Sequence, residues 1–186
     1  MISLPAPLVE RFRSDPYARF MGFELVAAGP GYARVEARVT PDVFNFAGVP
    51  HGGFVFSLAD YAFAVASNSH GRVAVATSVS IQFMRAASAG DRLVAEARRL
   101  RAGRSAGFYE MRVLDGSGQE IAHCLGVVHR SERPLVDSPP KDALQDGVAP
   151  VPWPSEQQAA GPSAGQAAPG APGAGPGAPH GPASQV

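Results

Sequence analysis

One segment of this chain combines the groups that acyl-transfer chemistry requires. Residues 45–69, NFAGVPHGGFVFSLADYAFAVASNS, form a polar loop followed by a long apolar run carrying a single acid, Asp60. A lone carboxylate is costly to bury without a partner or a purpose. The loop supplies His51, Asn45 and the pair Gly52-Gly53. If the apolar run is a helix, the glycines sit at its N-terminus, where the first backbone N–H groups have no intrahelical acceptor. Glycine lets a substrate approach that backbone closely, and the helix dipole adds positive potential there. Such donors stabilise a carbonyl oxygen as it becomes an oxyanion. The same glycines would equally serve a tight turn into a buried helix.

Spacing turns this into a statement about assembly. Asp60 lies seven residues beyond Gly53. Seven steps of about 100° return to nearly the same face, displaced by about 10 Å along the axis. A base or nucleophile must come within about 3–3.5 Å of the atom it acts on. One helix therefore does not bring both groups to one small carbonyl, whereas two antiparallel helices across a twofold axis do. If both are catalytic, the protein is at least a dimer with sites shared between subunits.

The residues alone leave other roles open. Asp60 fits a structural acid bonded to a loop, His51 a loop-orienting side chain, and Asn45 a turn residue. Ser57, Ser67 and Ser69 lack the strand-to-helix setting of a nucleophile elbow. His51, His70, His123 and His129 have no recognisable metal-ligand spacing, so no metal is expected.

The elements that must hold these groups are read from composition and periodicity. The chain has 186 residues with 16 basic and 16 acidic side chains, so no bulk charge directs it to nucleic acid or an anionic membrane. Arg98-Arg99-Leu100-Arg101 falls within an alternating pattern and reads as a solvated strand face. The single cysteine, Cys124, excludes an intramolecular disulfide and reads as a small buried hydrophobe. The N-terminal residues do not resemble a secretory signal, and residues 54–66 are too short to span a bilayer. The expectation is a soluble, cytoplasmic protein.

After about Pro134 the composition changes. Residues 155–186 hold no Leu, Ile, Phe, Tyr, Trp or Met and only one charged side chain, Glu156. Such a segment cannot bury enough apolar surface to offset its ordering entropy. We expect residues 1–135 to fold and residues 136–186 to form a disordered tail, with Trp153 its one evident anchor.

Within the folded part, residues 5–20 show near-helical spacing of Leu8, Val9, Phe12, Tyr17 and Phe20. Residues 23–28 and 32–39 read as strands around Gly29-Pro30-Gly31, the second alternating Ala33, Val35 and Ala37 with Arg34, Glu36 and Arg38. Beyond the apolar helix, residues 73–85, 91–100 and 107–114 read as strands. Asp115-Gly116-Ser117-Gly118 then turns into a strand over residues 119–129. A helix apolar on all sides must be wrapped by sheet or covered by another subunit. The fold class is α+β, a strongly curved antiparallel sheet around one long central helix.

The residues Asn45, His51-Gly52-Gly53-Phe54-Val55-Phe56-Ser57-Leu58-Ala59-Asp60 and Asn68-Ser69-His70-Gly71 together resemble the signature of the PaaI-type hotdog-fold acyl-CoA thioesterases of phenylacetic acid degradation. The similarity continues through Ile81-Gln82-Phe83-Met84-Arg85, Gly90-Asp91, Gly107-Phe108-Tyr109-Glu110 and Gly126-Val127-Val128-His129-Arg130, and covers most of residues 10–131. It implies a hotdog fold assembled as a homodimer or homotetramer. It implies that the Gly52 N–H, with Asn45 and His51, polarises the thioester carbonyl, and that Asp60 of the facing subunit acts as nucleophile or general base. A water-orienting hydroxyl falls at Thr77, or at Ser78 if the register slips by one.

Coenzyme A, as part of the substrate, would run along the subunit boundary with its phosphates near Arg85, Arg104 and Arg130. Gly53, Phe54 and Tyr61 would contact substrate, and Phe46 and Phe63 lie close by in sequence. No further cofactor is implied. A hotdog enoyl-thioester hydratase or dehydratase would instead pair His51 with Asp60. A non-catalytic acyl-CoA-binding module would bind without turnover. The motif does not resemble the first, and the second would be expected to carry an output domain, for which the C-terminal tail is a poor candidate.

Overall fold

The computed structural model describes residues 1–137 and 151–153. Two short helices lead, α1 (Ala6–Arg13) and α2 (Pro16–Phe20), where periodicity alone predicts one. The break is local. Asp15 Oδ1 accepts the Ala18 N–H at 2.8 Å, and Pro16 occupies the first helical position. Proline brings no N–H and keeps the preceding residue out of helical conformation, so the chain stops and restarts there.

The strands follow the alternation closely. β1 (Glu24–Gly29) and β2 (Tyr32–Arg38) form a hairpin, and a single 3-10 turn (Pro41–Val43) leads to the loop before α3 (Gly52–Asn68). Then come β3 (Arg72–Phe83), β4 (Arg92–Ala102), β5 (Ala106–Leu114) and β6 (Glu120–Pro134). Together they make one six-stranded sheet in the order β1-β2-β4-β5-β6-β3, with every pair antiparallel. β6 continues past residue 129 because β3 stays paired with it as far as Arg72 opposite Pro134.

The inner face of the sheet is built to receive α3. Ala33, Val35 and Ala37 of β2 stand opposite Ala97, Ala95 and Leu93 of β4, and all six are buried. Their small side chains leave room for a helix whose Leu58, Ala59, Ala62, Val65 and Ala66 are themselves buried. Gly126 of β6 marks the closest approach. A Cβ there would meet Phe63 Cζ at 2.7 Å, so only glycine lets that ring seat on the strand. The result is the expected α+β hotdog: a curved antiparallel sheet around one long helix.

Two peripheral features matter later. β3 is an edge strand, and Val75 and Phe83 on it are 60% and 54% exposed. At the other side, the Val151 N–H donates to Arg99 O at 3.0 Å, beside a register shift in β4. Trp153 is 4% exposed, with the Arg98 and Arg112 guanidinium carbons 4.5 and 3.9 Å from its ring centroid. The compact unit thus extends from Met1 to Trp153. Leu135 and Val136 also pack on the core. Most of the expected tail, residues 138–150 and 154–186, lies outside the described residues.

Candidate active site

The start of α3 is set by a histidine. His51 is its N-cap, and Nδ1 accepts the Gly53 N–H at 2.9 Å. An accepting Nδ1 is unprotonated, so the ring proton sits on Nε2, a donor without a partner among the described residues. The cap uses the Gly53 N–H and leaves the Gly52 N–H without a partner among the described residues. A Cβ on Gly53 would lie 3.0 Å from His51 Nδ1, and one on Gly52 would lie 3.2 Å from Phe83 Cζ. Both positions are therefore kept narrow by their own neighbours.

The loop ahead of the cap is closed by Asn45. Its Oδ1 accepts from the Ala47 N–H at 2.8 Å and the Val49 N–H at 3.4 Å. Its backbone N–H donates to Val49 O at 2.8 Å, and the His51 N–H donates to Val43 O at 2.8 Å. Because Oδ1 faces the loop amides, Nδ2 is left as a donor without a partner among the described residues. Among the described residues, three donors thus remain without a partner around this helix end: Gly52 N–H, Asn45 Nδ2 and His51 Nε2.

Asp60 is half-buried and has no hydrogen bond or ion pair among the described residues. Burial holds its carboxyl above the usual carboxylate range. Its charge reaches Cys124 on β6, whose thiol is pushed up to about 12 by burial first, and then by Asp60 and Glu120. Along its own helix it stands about 10 Å from Gly53.

The surroundings divide the remaining candidates. A groove of about 660 Å³ is lined by His51, Gly53, Phe54 and Ser57, with Tyr17, Phe20 and Phe44 as further aromatic walls. The Tyr17 and Ser57 hydroxyls lie 2.9 Å apart and join α2 to α3 across it. Tyr61 is elsewhere. It stacks on Phe23, donates to Phe12 O at 2.9 Å and lines a separate cavity beside α1. Phe63 is buried against Tyr109, and Phe46 is fully exposed. Sequence reasoning missed Tyr17, Phe20 and Phe44; Ser57 lies 40 residues from its partner, and periodicity carries no signal for such a contact.

Gly52 opens on the other side of the helix start, where Pro50, Val55, Phe83, Met84 and Arg85 line a smaller groove. Arg85 is bound to Asp115 and Gln119 at the β5–β6 turn. Arg130 donates its side chain to Gly103 O and its N–H to Ser105 O, pinning the β4–β5 turn from behind. Arg104 on that same turn is exposed and lines a groove with Arg101 and Phe108. Thr77 occupies a bulge in β3: Ala76 is opposite Val128 and Ser78 opposite Val127, with Thr77 between them unpaired. Its hydroxyl donates to Val127 O at 3.2 Å.

Comparison with known proteins assigns the family. Residues 47–122 match the model of the thioesterase superfamily. A protein of Archaeoglobus fulgidus described as a putative esterase is 44% identical over 128 residues, 66% of this chain and 83% of the relative. The acyl-coenzyme A thioesterase PaaI of Escherichia coli is 36% identical over 119 residues, 64% of this chain and 85% of the relative. The solved structure of that PaaI protein superposes with a TM-score of 0.67 at 33% identity, covering 71% of this chain and 99% of the other. The smu.793 protein of Streptococcus mutans, solved bound to acetyl CoA, gives a TM-score of 0.59 at 27% identity over 62% of this chain and 93% of its own. The unpaired donors at the start of α3 therefore sit on a shared scaffold, and this chain belongs to the PaaI-type hotdog proteins of the thioesterase superfamily.

Proposed function

We propose that the protein hydrolyses acyl-CoA thioesters, releasing a free acid and coenzyme A. The observation that carries this reading is the set of unpaired donors around Gly52, held apart from a carboxylate that burial makes more basic. The thioester oxygen accepts from the Gly52 N–H, with Asn45 Nδ2 and His51 Nε2 as further donors, so negative charge developing on it meets dipoles already in place. Asp60 attacks the carbonyl carbon directly or takes the proton of an attacking water. In either case the thiolate of coenzyme A leaves. After direct attack the acyl group is held on Asp60 as an anhydride, which water then cleaves to free the acid and restore the carboxylate, and no further cofactor is needed. Thr77, re-aimed by its bulge, is the hydroxyl that would orient the water.

One protomer does not bring these groups together, so the working unit is a dimer. The exposed edge of β3 is the surface that favours it, since an unpaired strand edge with apolar side chains is a template for a second strand. A homodimer pairing into a homotetramer is consistent with this edge. The aromatic groove beside His51 suits a small or aryl acyl group, such as a phenylacetyl-like one, and its size is in the usual range for ligand pockets. The open groove at Arg101 and Arg104 suits the phosphates of coenzyme A, whereas Arg85 and Arg130 are already engaged within the protein. Acyl-CoA chemistry and a lone buried cysteine favour the cytoplasm. Among the described residues, no helix is long and apolar enough to cross a membrane.

Subunit mixing tests the shared site. Asp60→Asn and Asn45→Ala proteins are each nearly inactive toward phenylacetyl-CoA, followed by thiol release. Unfolding and refolding them together at equal amounts restores roughly a quarter of wild-type activity, because half of the dimers carry one intact site. No recovery in verified mixed dimers would refute a site built from two subunits.

A further inference from the structure

The outer face of the sheet carries its charge in pairs. Arg98 of β4 stands opposite Glu110 of β5, and Glu96 opposite Arg112, one step of the alternation away. Arg98 Nη2 lies 2.7 Å from Glu110 Oε2, and Arg112 Nη2 lies 3.3 Å from Glu96 Oε2. Two such cross-strand pairs, set head to tail, leave the arginines as diagonal neighbours. Trp153 covers that diagonal, with its ring centre 4.5 Å from the Arg98 guanidinium carbon and 3.9 Å from that of Arg112. The face of an indole is its negative side, so one ring meets both guanidiniums. Arg112 Nε is buried without a hydrogen-bond partner among the described residues, and a desolvated cation gains more from such a ring than an exposed one.

The backbone ahead of Trp153 is tied to the same hairpin. β2 pairs with β4 only as far as Tyr32 opposite Arg98. Past that point the Arg99 N–H donates to Gly31 O at 2.7 Å, and the Arg99 carbonyl accepts the Val151 N–H at 3.0 Å. Arg98 Nη1 donates to Val151 O at 3.4 Å. Proline favours extended backbone in the residue before it, so Pro152 suits Val151 to presenting both groups.

The place of attachment gives this contact a consequence. Arg99 and Arg101 stand opposite Tyr109 and Phe108, which leaves Leu100 as the extra residue of a bulge. A bulge re-aims the side chains beside it. The residue after this one is Arg101, which lines the groove at the β4–β5 turn with Arg104, Ser105 and Phe108. Arg101 and Arg104 are both exposed. Val151 thus grips β4 just before the bulge, while Arg130 pins the turn beyond it through Gly103 O and Ser105 O.

On the reading of that groove as the site of the coenzyme A phosphates, we propose that Val151–Trp153 is a strap that sets the β4–β5 turn for its ligand. Trp153 is a positioning residue that acts on the phosphates through Arg101 and Arg104. Docking of the strap holds the bulge in one conformation, so both arginines are in place beforehand and less freedom is lost on binding.

Trp153→Ala in the full chain is the test. KM for phenylacetyl-CoA rises severalfold with kcat unchanged, whereas KM for phenylacetyl-pantetheine, which has no phosphate, stays at the wild-type value. Trp153→Phe keeps a ring over the arginines and restores most of the affinity. Coenzyme A itself, titrated by calorimetry, binds severalfold more weakly to Trp153→Ala. That result in a protein that cleaves neither thioester would keep the strap and refute the hydrolysis. Trp153 is the chain's one tryptophan, so its fluorescence reports docking and is only weakly quenched by acrylamide in the wild type. Unchanged KM and coenzyme A affinity in Trp153→Ala, an equal rise in KM for both thioesters, or quenching as strong as in the urea-unfolded chain would each overturn the proposal.

Discussion

The two ends of α3 are built on opposite plans. At the N-terminus the backbone is exposed, His51 takes one N–H, and the Gly52 N–H is left open beside Asn45 Nδ2. At the C-terminus Asn68, Ser69 and their neighbours are buried, and nearly every polar atom of the turn is claimed. Asn68 Nδ2 donates to Ala64 O at 2.9 Å and to Ala74 O at 3.0 Å, while Oδ1 accepts the Ala74 N–H at 2.8 Å. A helix can therefore be anchored at one end and kept chemically unfinished at the other. The unfinished end costs little because solvent satisfies its donors until substrate arrives, whereas the buried end has no such substitute.

Substitutions along α3 should separate these roles, and the largest effect belongs between the ends. Asp60→Asn lowers kcat by about a thousandfold or more, in keeping with loss of a base or nucleophile. Its stability moves the other way. Burial raises the folded-state pKa of Asp60 above its ordinary value of 3.8, so protonation favours the fold. That contribution is complete below the ordinary value and is lost as pH rises through the raised one. Asp60→Asn removes the loss, and its Tm at neutral pH equals or exceeds that of the wild type. A Tm well below wild type at neutral pH would recast Asp60 as a structural acid.

At the buried end the signs reverse. Asn68→Ala orphans the Ala74 amide and strips one donor each from Ala64 O and Ala74 O, and costs about 2–3 kcal/mol in urea unfolding, with kcat of the folded protein near wild type. A turnover defect as deep as that of Asp60→Asn would blur the distinction between the ends. The smallest effect is expected for His51→Ala. Loss of the cap costs about 1 kcal/mol, and loss of one carbonyl donor lowers kcat/KM by about tenfold. Equal stability with a larger kinetic loss would give His51 a greater part in the chemistry.

Much of this contrast was legible before any coordinates. The glycine pair, the lone acid and the alternation of Ala33, Val35 and Ala37 each carry a local period or a local cost, so helix, strands and helix start could be placed from them. Partners distant in sequence could not. Arg85 looks like a free cation until the β5–β6 turn brings Asp115 to it, and Arg130 until the β4–β5 turn brings the Gly103 carbonyl to it. Tyr61 and Phe54 both sit on an apolar helix, and only the placement of α1 and α2 separates one into a core hydrogen bond and the other into a groove wall. Pro16, by contrast, is a local signal, and the helix break at Asp15 follows from it.

The shielding of Cys124 has a practical side. Buried on β6, with its pKa pushed up to about 12, this thiol is almost entirely protonated at neutral pH. Only the thiolate reacts with aromatic disulfide reagents. Colour that develops when the protein meets an acyl-CoA therefore reports liberated coenzyme A against a silent background. A cysteine introduced anywhere on the surface would be the sole site for a spectroscopic label.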